Sequence, residues 1–398
     1  MTNIPYSRQR IDAVDIKAVG RVLATDWITQ GPKIDEFERA IARFCGARYA
    51  VAVANGTAAL HLAALAAGLK KGDEAITTPI TFLATSNAVL YAGATPVFAD
   101  IDYDTVNIDP DCVKKLVTRK TKAVLPVDFA GLPADMPAIR KIADRHGLVV
   151  IEDASHALGG EYRHGKVGSC RYADMTVFSF HPVKHITTGE GGCITTNSKT
   201  YYDQLRALRT HGVVKTADAL QKHGGWYYEM QALGFNYRIT DFQCALGLSQ
   251  LKKLPGFIAA RRKIARRYDA AFATMGNWLK IPAQAIHGEK HVYHLYLLRL
   301  ARQTAKCSRR LLYEYLKSQG VSSQVHYIPI YRQPYYRKLF SGRKIHCPNA
   351  DRYYSEALSL PIYPGLSSAG VDKVIHWVGR FLKTGAGECA AKSRTCHE

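Results

Sequence analysis

No two of the nine cysteines stand at Cys-x-x-Cys spacing. The chain therefore lacks the pattern of a zinc site or a disulfide framework, and its thiols are expected to stay reduced. It also lacks any run approaching about 18 apolar residues, which argues against a membrane-spanning helix. The opening stretch, Met1-Thr2-Asn3-Ile4-Pro5-Tyr6-Ser7-Arg8, has no apolar core behind a basic start. It does not read as a secretory signal, and a cytoplasmic protein is expected. Acidic residues are scarce, 33 against 54 Lys and Arg, giving a formal net charge of +21. Such a balance suits nucleic acid, an anionic membrane surface or small acidic ligands such as phosphates. No helix-turn-helix, zinc finger or aromatic-basic ribonucleoprotein motif accompanies the basic residues, so nucleic acid is not the expected partner. Arg261-Arg262-Lys263 and Arg266-Arg267 cluster at helical spacing and read as a charged, solvated helix face.

What is present is an alternation of helix and strand. At 398 residues the chain has room for a large domain and a smaller one. Ile34 to Cys45 patterns as an amphipathic helix, Tyr49 to Ala54 as a strand, and Ala58 to Gly68 as an Ala/Leu-rich helix. Strand-like runs follow at Glu74 to Thr78, Thr95 to Ile101, Ala123 to Phe129, Leu148 to Glu152, Thr176 to Phe180 and Gly192 to Thr196. Near-continuous apolar strands between helices indicate an α/β fold with a mostly parallel sheet covered on both faces. Leu254-Pro255-Gly256 reads as a boundary. It divides a large domain (1–254, with the N-terminal segment) from a smaller C-terminal α+β domain (255–383). Residues 384–398 are polar, rich in small residues, and expected to be disordered.

The run Ser179-Phe180-His181-Pro182-Val183-Lys184-His185 follows a short apolar strand and precedes Gly189-Glu190-Gly191-Gly192. A lysine held between two buried strands is costly unless it is paired or neutral, and a neutral lysine is a Schiff-base nucleophile. The alternative is a surface-loop lysine. Asp153 ends the Leu148 to Glu152 strand, either as a helix N-cap or as a charge aimed at a ligand. His156, three residues on, is either a satisfied interior histidine or a neighbour of a cofactor ring. Gly56-Thr57-Ala58 opens a helix directly after a strand, where free amides make an anion site; Ser179 could add a hydroxyl. An ordinary threonine cap at Thr57 is the alternative. Phe82, after another strand, would stack on a flat ring or pack in the core. Phosphate cradle, aromatic, aspartate, serine and lysine thus follow one another, each at a predicted strand end. That order suits a pyridoxal phosphate site, in which a carboxylate keeps the pyridine nitrogen protonated.

These residues sit in segments that resemble the DegT/StrS-type sugar aminotransferases, a fold-type-I family of pyridoxal phosphate enzymes. The segments are Thr29-Gln30-Gly31-Pro32, Asn55-Gly56-Thr57-Ala58-Ala59-Leu60, Thr81-Phe82-Leu83-Ala84-Thr85, Glu152-Asp153-Ala154-Ser155-His156, Ser179 through Lys184, Gly189 to Gly192 and Gly234-Phe235-Asn236-Tyr237-Arg238. The resemblance spans about residues 4 to 380 and implies a seven-stranded, mostly parallel sheet and pyridoxal 5'-phosphate as cofactor. It implies that Lys184 is the Schiff-base lysine, Asp153 the pyridine-nitrogen partner, and His156 a neighbour of the phenolic oxygen. Gly56, Thr57, Ala58 and Ser179 would cradle the phosphate, Phe82 would stack on the ring, and Asn236 would serve the phosphate of a neighbouring subunit in a homodimer. Within the family the likeness is greatest to the branch that acts in pseudaminic acid biosynthesis. That branch aminates the C4 ketone of a UDP-linked 2-acetamido-2,6-dideoxy-4-keto-L-hexose with L-glutamate, releasing 2-oxoglutarate. By that likeness Tyr6, Trp27, Ile28, Thr29, His326 and Tyr327 would line the sugar nucleotide pocket. Another nucleotide-linked 4-keto sugar is the alternative substrate. A dehydratase of the same fold would carry His in place of Lys184, and a non-catalytic regulator would not need the intact set Asp153, Ser179 and Lys184.

Overall fold

Seven apolar runs form one sheet: β1 (Tyr49–Val53), β2 (Glu74–Thr77), β3 (Thr95–Phe98), β4 (Thr121–Leu125), β5 (Val149–Asp153), β6 (Met175–Ser179) and β7 (Gly192–Thr196). The computed structural model describes residues 3–275, 278–283, 288–301 and 307–394, with side chains to Lys383. The strand order is β1-β7-β6-β5-β4-β2-β3. From β3 to β6 every pairing is parallel, whereas β7 runs antiparallel to both neighbours. The sheet is buried on both faces because its strands alternate between two apolar cores. Ala50, Ala52, Val124, Val150 and Phe178 face one, and Val51, Val53, Ala123, Leu125 and Val177 face the other.

Helices α2 (Pro32–Cys45), α3 (Gly56–Ala66) and α4 (Ala84–Tyr91) pack on the sheet, and α1 (Ala13–Leu23) packs on the long helix Asp241–Ala273. Helix α2 is amphipathic, burying Phe37 and Ile41 completely, and ends on Gly46 in the left-handed region (φ +81°). Helix α3 is apolar around most of its circumference, with Ala58, Ala59, Leu60, Leu62, Ala63, Ala64 and Ala66 all buried. A helix of that kind belongs inside a core, and its burial fixes where its N-terminus points.

The boundary expected at Leu254-Pro255-Gly256 is corrected by the structure: one helix, Asp241–Ala273, runs straight through it. An interior proline costs about 3 kcal/mol. The helix offsets this by burying Leu251, Leu254 and Ile258 in the large-domain core and Ile264, Tyr268 and Phe272 in the second core. Each such side chain contributes about 1.5–3 kcal/mol. The change of domain therefore falls within the helix, between Ile258 and Ile264. The basic face is solvated at Lys263 and Arg266 as expected, and the correction concerns Arg261. Arg261 is buried between the two cores and donates to the carbonyls of Tyr293, His294 and Ile362 at 3.2, 3.2 and 2.9 Å.

The smaller unit is a three-stranded antiparallel sheet (Leu279–Lys280, Tyr296–Leu300, Ala357–Leu360) packed on helices Arg309–Ser318 and Ser368–Arg394. The N-terminal segment, expected with the large domain, begins in this unit. Ile4 bridges Val321 and sits in the second core, while Asp15 of α1 bonds to Ser249 and Gln250 of the long helix. The last helix reaches Arg394, through part of the stretch expected to be disordered. Residues 395–398, including Cys396, lie outside the described residues. Among the described residues no helix is long and apolar enough to cross a membrane.

Candidate active site

The carboxyl ends of β1, β2, β5 and β6 open onto one cavity of about 930 Å³. Strand β1 leads into α3, whose N-cap is Asn55: its side chain accepts the Ala58 amide at 2.8 Å. Thr57 is therefore the second residue of the helix, and the threonine-cap reading falls. The first-turn amides and the positive end of the helix dipole face the cavity. Gly56 is required here by close approach. A Cβ on it would lie 2.9 Å from Ser179 Cβ, so its absence brings the Ser179 hydroxyl against the helix end. Gly192 is required likewise, since a Cβ would lie 2.4 Å from the Asn55 carbonyl oxygen.

Between β6 and β7 the chain makes a loop closed at its base by the pairing of Ser179 with Gly192. Phe180 N donates to Gly191 O at 2.8 Å, and Phe180 O accepts from Thr187 Oγ1 and Thr188 N at 2.9 and 3.1 Å. Lys184, held by its own N–H to His181 O at 2.9 Å, lines the cavity from this loop. The surface-loop reading of Lys184 falls. Desolvation lowers its pKa to about 8, with Asp153 opposing the shift as the nearby negative charge. At pH 7.5 about a quarter of such amines are neutral, against roughly one in a thousand for an ordinary lysine.

Asp153 ends β5 and is followed by a turn, so it caps no helix. One carboxylate oxygen accepts the Thr85 hydroxyl at 2.7 Å and the other the Ser155 hydroxyl at 2.6 Å. A buried carboxylate held this way on two sides is pre-aimed. Phe82, 56% exposed, lines the cavity and is not a core residue. His156 is buried beside Phe129, and its pKa is driven well below the ordinary histidine value by burial and then by Lys184.

Of the residues expected at the site, Gly56, Thr57, Ala58, Phe82, Asp153, His156, Ser179 and Lys184 share this cavity, joined by Tyr6, His326 and Tyr327 from the N-terminal segment and the small domain. Trp27, Ile28, Thr29 and Asn236 do not line it. Thr29 bridges Thr240, Ile28 O accepts the Asp241 amide at 3.0 Å, and Trp27 and Ile28 are 59% and 49% exposed. Asn236 is exposed and bridges Thr210. Thr29 and Ile28 are thus tied to the start of the long helix, and Asn236 to the loop beside it.

The model of the DegT/DnrJ/EryC1/StrS aminotransferase family matches residues 9–379. The chain belongs to this family. This aminotransferase is 42% identical over 383 residues to the Bacillus subtilis spore coat polysaccharide biosynthesis protein SpsC, covering 96% of this chain and 97% of that one. Among solved structures it is similar to Helicobacter pylori PseC, an aminotransferase involved in the biosynthesis of pseudaminic acid (TM-score 0.88, 35% identity, 96% of this chain and 100% of that one). It is also similar to the putative sugar aminotransferase Spr1654 of Streptococcus pneumoniae, solved in a pyridoxamine-phosphate form (TM-score 0.90, 31% identity, 96% and 100% covered) and a pyridoxal-phosphate form.

This aminotransferase uses pyridoxal 5'-phosphate, and the residues present fit that group. A glycine-opened helix end suits a phosphate, an anchored carboxylate suits a ring N–H, an exposed aromatic suits a ring face, and a desolvated lysine suits a carbonyl.

Sequence reasoning missed three contributors. Thr85 lay in a quoted segment without a role, yet its hydroxyl orients Asp153. His294 lines the cavity from a run that read only as an aromatic strand. Asp128 and Glu152 form a buried carboxyl pair behind Asp153. Asp128 accepts the Ala134 amide at 2.9 Å and Glu152 the Thr176 hydroxyl at 2.7 Å. The remaining oxygen of each carboxyl has no other partner. Burial raises both pKa values, that of Glu152 to about 7, so the pair keeps a proton where free carboxyls have lost theirs. A carboxyl whose pKa is raised on folding stabilises the fold at low pH and loses that contribution as pH rises through the folded value. Asp128→Asn removes this contribution, so between pH 5 and 8 the stability of the variant relative to wild type should rise by up to about 1.4 kcal/mol per pH unit, the weight of one proton. Parallel curves for the two proteins in melts across this range would refute the shared proton.

Proposed function

We propose that this enzyme transfers the amino group of L-glutamate to the C4 ketone of a UDP-linked 2-acetamido-2,6-dideoxy-4-keto-L-hexose, a step of pseudaminic acid biosynthesis. The observation that carries the reaction class is the meeting of Lys184 and Asp153 beside the α3 cradle in one cavity. The choice of sugar is supported by the 35% identity to PseC over nearly the whole chain. The +21 charge favours a diphosphate-bearing substrate and a dicarboxylic donor.

Bound in this cavity, the cofactor supplies an electron sink for the carbon that loses a proton. Asp153 keeps its negative charge toward the ring N–H, anchored by Thr85 and Ser155. The α3 amides and Ser179 would hold the phosphate, and Phe82 would cover one ring face. Lys184, as a neutral amine, would take the α-proton of glutamate as general base and return a proton as general acid; with the sugar it would work in reverse. One base and one pocket serve both halves, so the two substrates bind in turn.

The active unit proposed is a homodimer. Asn236 would reach the cofactor phosphate in the opposite subunit, and Trp27, Ile28 and Thr29 would line the opposite sugar pocket. Their exposure, and their absence from the lining of their own chain's cavity, support this arrangement.

A panel of UDP-, dTDP- and GDP-linked 4-keto sugars with L-glutamate, read by the mass change of each sugar nucleotide, tests the substrate. The UDP-linked L-hexose should be turned over at least about tenfold faster than the rest. Equal turnover across the panel would sink the assignment. Preference for another sugar would favour the second reading, amination of a different nucleotide-linked 4-keto sugar, which the 42% identity to SpsC supports.

A further inference from the structure

Among the described residues, His156 makes no side-chain hydrogen bond that would fix its ring. Its Nδ1 is buried without a partner, and so is that of His294; both residues line the cavity and both are under 5% exposed. What holds the His156 plane is packing. The His294 ring lies 4.2 Å away at 33°, with Phe129 and Tyr327 more distant at 6.0 and 6.4 Å. His294 is braced from another side by His185, 5.7 Å off, whose Nε2–H donates to Val292 O at 3.2 Å.

The backbones are locked together as tightly as the rings. Gly131, at φ +94°, passes between them: a Cβ there would lie 2.8 Å from His156 O and 3.0 Å from His294 N. Val292 N donates to Gly131 O, Leu295 N donates to Ala130 O, and the buried guanidinium of Arg261 holds the His294 carbonyl. An imidazole carried by the junction of the two units is thus pressed onto an imidazole carried by β5.

We propose that His294 is a positioning residue of the cofactor site: packed against His156 in a tilted contact, it holds that ring in the plane from which His156 meets the bound cofactor. The proposal rests on the reading of His156 as a cofactor contact. The titratable and charged groups facing this pair are Lys184, His185, His326, Arg261 and Tyr327. Burial keeps all four imidazoles uncharged near neutral pH, so the contact acts through shape and dipole and adds no net charge beside Lys184.

The test is the pH midpoint of the visible absorption of the cofactor-loaded protein, together with cofactor affinity measured on the cofactor-free protein. His294→Ala should shift the midpoint by about one pH unit, and His294→Phe, which keeps the ring contact, should stay within about 0.3 unit of wild type. His156→Ala should shift it at least as far as His294→Ala. A wild-type midpoint for His294→Ala, or a His294→Phe shift as large as that of His294→Ala, overturns the proposal. If His156→Ala also leaves the midpoint unmoved, the underlying reading of His156 fails instead, and the His294 role fails with it. Should His294→Ala not fold, His294→Asn, smaller and without a ring, takes its place with the same outcomes.

Discussion

Lys184→Ala should lose about 10^4-fold or more in multiple turnover. Borohydride should no longer fix the cofactor to the chain. The variant should fold, because the replaced amine has no hydrogen-bond partner that an alanine would strand, and removing a desolvated ammonium relieves a cost. The thermal midpoint of the cofactor-free protein should therefore hold or rise. Retention of full multiple turnover would refute the assignment of Lys184. The same variant tests the shared site. Neither Lys184→Ala nor Asn236→Ala homodimers contain an intact site, but a mixed dimer contains one. Statistical mixing puts about half of the dimers in that class with half of their sites intact, so an equal mixture should recover roughly a quarter of wild-type activity. No recovery after verified subunit exchange would place Asn236 outside the partner's site.

Asp153→Asn should lower kcat on the order of 10^3-fold, the scale for removing one pre-aimed electrostatic group, with KM for the sugar nucleotide within about threefold. The amide keeps the shape of the carboxylate and can still accept from Ser155. It loses the charge that keeps the ring nitrogen protonated, and its NH2 group must oppose either the Thr85 hydroxyl or a ring N–H. There is a second consequence. Asp153 raises the pKa of Lys184 against the larger effect of desolvation, so removing its charge should take Lys184 further below 8. The acid limb of the residual activity should move to lower pH. A kcat within tenfold of wild type, or an acid limb displaced upward, would contradict the assigned role.

The site was largely legible because its residues are local signals. Asp153 and Ser179 end short apolar strands, Thr57 and Lys184 come within a few residues after one, and a strand end in a parallel sheet opens onto the ligand face. Residues recruited through packing were not legible. His294 sits 138 positions after His156 in the chain, and only the Gly131 crossing and the Arg261 clamp bring the two rings together. Arg261 read as solvated because a basic run at helical spacing usually is. Its burial depends on three carbonyls from distant segments. Pro255 read as a boundary because proline penalises a helix interior. Two apolar cores on one helix outweigh that penalty.

By itself the sequence determined the alternation of apolar strands and helices, hence the parallel sheet, and the order of chemical groups along its carboxyl edge. Both follow from periodicity and adjacency, which act over a few residues. Tertiary structure alone decided which alternatives held. Asp153 lines the cavity and caps no helix because a turn follows it, Thr57 lies inside a helix because Asn55 caps it, and Lys184 is desolvated where its loop lines the cavity. Burial and long-range hydrogen bonding set those outcomes, and both arise only when segments far apart in the chain exclude water from the same place.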